Sequence, residues 1–165
     1  MSALAPIRES IRKGRNALLM RPQTIDISFS HLMGRCAVGA AAQATGAERA
    51  ALLKETRATT RRLSRTRAPW AIPLAQSLDA AIANIEGDRA TALALLREAA
   101  DGFGSVSMNL YQAAARLMCA RLDPAASDQR LAADTWMTSQ RIKVPDRMAD
   151  MCIPGFYEDA TARER

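Results

Sequence analysis

Gly87-Asp88 leaves this chain fewer ways to fold than any other point in it. Upstream, Leu74, Leu78, Ala81, Ile82 and Ile85 recur at helical spacing through Pro73 to Glu86. Downstream, Ala92, Leu96, Ala99 and Phe103 do the same from Asp88 to a stop at Gly102 to Gly104. A glycine closes a helix in the left-handed conformation and an aspartate caps the next one, so the stretch predicts an αα-hairpin with its corner at Gly87-Asp88. The downstream helix presents a small-large-small face that must be buried. One hairpin cannot bury both of its sides, so the stretch requires further hairpins before and after it.

The rest of the chain supplies them. The pattern predicts a helix over 7–20, with Ile7, Ile11, Leu18 and Leu19 on its apolar side and Arg21-Pro22 ending it. A second helix runs from Thr24 or Asp26 to about Ala44, with Phe29, Leu32, Met33, Cys36, Ala37 and Ala40 as its buried stripe. Glu48 to about Arg65 follows the break at Thr45-Gly46. Beyond the central hairpin, helices are predicted from Val106 or Ser107 to Leu122, from Ser127 to Gln140 and from Pro145 to Met151. Phe156 and Tyr157, after Pro154-Gly155, are expected to fold back over the open end of the stack, and 158–165 to form a frayed polar tail.

Composition agrees with helices throughout. Of 165 residues 48% are hydrophobic but only 4% aromatic, and the apolar content is mainly helix-forming alanine and leucine. No stretch approaches the roughly 18 uninterrupted apolar residues of a membrane span. The charged start, MSALAPIRESIRKGR, does not suit a signal peptide, so a cytoplasmic location with no membrane partner is expected. Cys36, Cys119 and Cys152, odd in number and widely spaced, read as buried free thiols.

Positions relative to the corners sharpen the architecture. Val38-Gly39 precedes Gly46 as Ala80 precedes Gly87; Ala51 follows the first corner, and Ala92, Leu96 and Ala99 follow the second. This pattern resembles a tetratricopeptide repeat. It departs from one at Asp79, where a large apolar residue is usual, and no proline closes the unit after Gly104. The resemblance implies an all-α fold: a short right-handed α-solenoid of antiparallel helix hairpins, degenerate in sequence, with about seven helices and a C-terminal cap. The domain reading is an N-terminal basic helix at 1–22, half of a hairpin whose mate is missing, a repeat domain at 23–157, and the tail at 158–165.

A narrower resemblance lies in WMTSQRIKVPDRMADMCIPGF, from Trp136 to Phe156. It is similar to the closing segment of large bacterial serine/threonine kinases and kinase-linked ATPases, in which a helical-repeat region follows the enzyme domains. The chain carries no glycine-rich nucleotide loop, His-Arg-Asp run, Asp-Phe-Gly or Walker lysine. The resemblance therefore implies only the appended regulatory region, with the parent kinase as a partner, and no enzyme.

Chemistry-bearing residues are few. His31, the only histidine, has no ligand or base partner at useful spacing, and Cys152 has no basic neighbour to activate it. No catalytic, cofactor or metal residue is assigned, and Trp70 and Trp136 read as fillers between helices. The first helices of the pairs expose Arg35, Gln43, Gln76, Asn84, Asn109, Gln112 and Arg116, which are the candidate contacts for a protein or peptide partner. Net charge is +6 with a pI near 9.9, and Lys54, Arg57, Arg61 and Arg65 share one helix face. That face is the candidate patch for an acidic partner, and nucleic acid is the alternative ligand, although no aromatic side chains interleave to stack on bases. The apolar side of 7–20 adds self-association as a third expectation.

Overall fold

The structure, a computed structural model, describes Glu9 and residues 23–157. Among the described residues there are seven helices and no strand. In chain order they are α1 (Gln23–Ala41), α2 (Gly46–Ser64), α3 (Ala71–Ile85), α4 (Arg89–Ser105), α5 (Asn109–Leu122), α6 (Ser127–Ser139) and α7 (Pro145–Cys152). Apart from Glu9, the helix expected over 7–20 lies outside the described residues. Consecutive helices pack on one another, and beyond these neighbours the main packing is α1 on α3 and α5 on α7.

The Gly87 corner forms as the sequence dictates. Gly87 takes φ +87°. Its N–H donates to Asn84 O at 3.1 Å and the Asp88 N–H donates to Ala83 O at 2.9 Å, the paired bonds of a Schellman motif. Asp88 then caps α4, its Oδ1 accepting from Thr91 N at 3.0 Å.

Two further corners repeat this bonding without glycine. Ser107 at φ +58° and Arg141 at φ +60° occupy the left-handed position. Met108 N–H reaches Phe103 O at 2.9 Å, and Ile142 N–H reaches Met137 O at 3.0 Å. Accordingly α4 runs through Gly102 and Gly104 to Ser105 rather than stopping at the glycines. Each side chain held at positive φ carries strain, so Ser107→Gly and Arg141→Gly are each expected to stabilise the fold by up to about 1 kcal/mol. Urea midpoints of the two variants against the parent check this.

Small residues set the helix spacing. Ala37, Ala71, Ala80, Ala92, Ala99, Ala114 and Ala115 are fully buried, and Phe103, Leu78, Leu96, Leu117, Met118 and Met137 fill the space between them. In α1 the buried stripe is Ile27, Ser30, His31, Gly34, Ala37, Val38 and Ala41. The stripe expected from the sequence is rotated from this one, and Phe29 and Leu32 are each 38% exposed. The reason is Gly34. A Cβ there would sit 2.6 Å from Leu78 Cδ1, so only this face of α1 lets α3 approach so closely. Asp79, the odd polar residue of α3, is half-buried and faces Thr60 and Arg57 of α2, and its burial raises its carboxyl pKa.

Candidate interaction surfaces

The last described residues, Ile153 to Tyr157, leave α7 as a bent, non-helical segment and return to the beginning of the fold. They lie on α1 and α3. Ile153, Pro154, Gly155 and Phe156 are buried. Gly155, at φ +101°, fits so closely that a Cβ would sit 2.9 Å from Val38 Cγ1 and 3.0 Å from Ala81 Cβ. Asn84 Nδ2 donates to the Gly155 carbonyl at 2.8 Å, and Arg35 donates to the carbonyl of Met151. Two of the candidate partner contacts are thus spent on the chain's own backbone.

Arg121 of α5 anchors the same end. Its side chain is only 9% exposed and forms ion pairs with Asp150 and, at 3.1 Å, with Asp146. It also donates to the Phe156 carbonyl at 3.3 Å. Burial works to raise the Asp146 carboxyl pKa, but the Arg121 bond and the Arg130 charge hold it below the ordinary carboxylate value. Arg121 was absent from the sequence-based candidates. Its signal was present in the two aspartates, Asp146 and Asp150, placed four apart on one face of a short helix.

Beneath this clasp sits a buried polar cluster. The His31 ring packs edge-on against Tyr111 with centroids 5.7 Å apart, and Arg35 Nη1 approaches the Tyr111 hydroxyl at 3.4 Å. His31 Nε2 and Arg35 Nε are buried without hydrogen-bond partners. Burial, reinforced by the Arg35 charge, pushes the His31 pKa down to about 3, so the ring is neutral at physiological pH. Burial pushes the Cys152 thiol up, against the pull of Arg35, and pushes the Cys119 thiol up to about 11. Asp150 does not set the Cys152 value, because it faces Arg121. Neither thiol is activated, and among the described residues no group of three or more His, Cys, Asp or Glu side chains could hold a metal.

Three other candidates come together elsewhere. Asn109, Gln112 and Arg116 of α5 line a cavity of about 340 Å³ with Ala132 and Trp136 of α6. Sharing Arg116 and Ala132 with it, a second chamber of about 430 Å³ extends toward α4, adding Arg97, Asp101, Asp128 and Gln129. Arg97 is already paired with Asp123 at 3.0 Å. The remaining candidates stand apart: Gln76 reaches Glu98 on α4 at 3.0 Å, and Gln43 lies exposed in the turn after α1.

On the basic face of α2, Lys54, Arg61 and Arg65 are exposed. Arg57 is held by both oxygens of Glu86, at 2.6 and 2.5 Å. The apolar side of 7–20 lies outside the described residues. No helix among the described residues is long and apolar enough to cross a membrane. No protein-family model, curated protein or solved structure matches the chain.

Proposed function

We propose that this chain is a non-catalytic interaction module that grips non-helical peptide on the face formed by α1, α3 and α5. The observation that carries the reading is the seat of Ile153–Tyr157. A non-helical segment lies on these helices; Asn84 and Arg121 bond its Gly155 and Phe156 carbonyls, and Arg35 bonds the Met151 carbonyl at the end of α7, groups that any peptide backbone offers. Three consecutive pairs, α1 with α2, α3 with α4 and α5 with α6, support a short tetratricopeptide-like α-solenoid with α7 as its cap. The resemblance of Trp136 to Phe156 to the closing segment of bacterial kinases supports a regulatory place beside a serine/threonine kinase or signalling ATPase. A protein partner is preferred to nucleic acid because Arg57 is committed to Glu86 and no aromatic side chain accompanies Lys54, Arg61 and Arg65.

The test empties the seat. A valine at Gly155 is strained at φ +101° and collides with α1 and α3, so Gly155→Val is expected to displace the segment. A fluorescein-labelled peptide of residues 150–157 should then bind Gly155→Val and not the parent chain. Adding Asn84→Leu should abolish that binding. Equal binding to the parent, or indifference to Asn84→Leu, would overturn the reading.

A further inference from the structure

Among the described residues, the buried side-chain nitrogens and oxygens left without a hydrogen-bond partner are two: Arg35 Nε and His31 Nε2. Both residues lie on one face of α1, a helical turn apart, and both meet Tyr111 of α5. The fold thus leaves hydrogen-bonding capacity unmet at one place, beneath the closing segment. Nε and Nη2 of an arginine form one edge of the guanidinium, two parallel donors spaced for the two oxygens of a carboxylate. In Arg35 a single oxygen uses that edge: Nη2 donates to the Met151 carbonyl, and Nε beside it has no acceptor. Among the described residues no carboxylate pairs with Arg35, and Asp150, next in the chain to the bonded carbonyl, is held by Arg121.

The side chain that follows the Met151 carbonyl is Cys152, only 2% exposed. Arg35 draws its thiol pKa down against burial, and the thiol in turn bears on Tyr111, so Cys152 sits among the same groups. A thiol is a weak acceptor and leaves the arginine edge half used. Aspartate is scarcely larger than cysteine and offers two oxygens, whereas a phosphoserine is too large for so enclosed a place. Resting on the peptide-binding reading above, we infer that the seat selects partner peptides with an aspartate at the place of Cys152, its carboxylate on the Nε edge of Arg35. The rest of the motif follows from the shape of the seat. A glycine is required at the place of Gly155, where a Cβ would press on Val38 and Ala81, and an aromatic residue suits the buried place of Phe156. The partner is a protein segment of the form Asp-x-x-Gly-aromatic, of which the chain's own closing segment is an imperfect copy.

The experiment uses the full chain carrying Gly155→Val and fluorescein-labelled peptides of residues 150–157 with Cys152→Asp or, as the neutral counterpart of the same shape, Cys152→Asn. By fluorescence anisotropy the aspartate peptide should bind roughly ten- to hundredfold more tightly than the asparagine peptide. Adding Arg35→Met should erase that preference, and adding Arg61→Gln on the α2 surface should leave it unchanged. A second readout does not need the seat to be emptied. In the otherwise intact chain, Cys152→Asp should have a higher urea midpoint at pH 7 than Cys152→Asn, and Arg35→Met should remove the difference. The assignment is overturned if the two peptides bind equally, if the preference survives Arg35→Met, or if the intact aspartate variant is no more stable than the asparagine one. It is equally overturned if the same peptide with phosphoserine at that place binds as tightly as the aspartate peptide. Any of these results beside a positive closing-segment experiment removes the carboxylate preference alone. If none of the peptides binds the Gly155→Val chain, the peptide-binding reading falls with it.

Discussion

Acidification from pH 7 to pH 5 is expected to cost the folded chain about 2 kcal/mol through His31 alone. In the unfolded chain the imidazole titrates near its ordinary 6.5, whereas in the fold it titrates at about 3, because burial and the Arg35 charge oppose the cation. Between those values the unfolded state binds a proton that the folded state refuses. Stability is therefore fully present above the unfolded pKa and falls as the pH drops toward the folded one, by about 1.4 kcal/mol per unit. Asp79 contributes with the opposite sign, since its raised pKa favours protonation in the fold. His31→Phe isolates the histidine: it keeps a ring against Tyr111 and removes both the titrating group and the unpartnered Nε2. Urea denaturation at the two pH values should show the parent losing about 2 kcal/mol more than the variant. An identical loss in both would mean that His31 is not held neutral.

Arg121→Ala is expected to be the most damaging single change, at about 3–5 kcal/mol. The arginine is nearly enclosed and serves Asp146, Asp150 and the Phe156 carbonyl together, so its loss leaves Asp150 without its partner, leaves Asp146 with Arg130 alone, and frees the closing segment. Arg121→Lys keeps the charge but not the fork of donors, and should fall between alanine and the parent. Denaturant midpoints measure the cost. Limited proteolysis should show new cleavage after Phe156 or Tyr157 in Arg121→Ala, while α1 to α4 stay protected.

The central hairpin was legible in the sequence because its signals are local. Gly87, Asp88 and the periodic faces on either side act within two turns of helix, and the corner formed as read. The burial of Ala92, Leu96, Ala99 and Phe103 followed from the same face. Where the reading missed, the deciding contact was distant or carried no residue-type signal. Phe29 and Leu32 have helical spacing like the stripe that is actually buried, and the choice between the two faces was made by Leu78 pressing on Gly34 from another helix. Ser107 and Arg141 turn corners without glycine, because the Schellman bonds and the packed helices outweigh the strain.

The candidate contacts divided for the same reason. Position on the first helix of a pair was readable from Arg35, Asn84 and Arg116 alike. Which of them the chain itself would occupy depended on Gly155 returning to a residue 71 positions earlier. No periodicity encodes that distance. Arg121 was masked by its sequence neighbours, which read as ordinary helix; only its pairing with Asp146 and Asp150 distinguishes it from a surface arginine.

Amide hydrogen exchange gives the most direct test that the α1 and α3 face grips non-helical peptide. In Gly155→Val, protection around Val38 on α1 and Ala81 to Asn84 on α3 should fall, and adding the 150–157 peptide should restore it without changing α2. Protection that does not return on α1 and α3, or that appears on the basic face of α2 instead, would contradict the account.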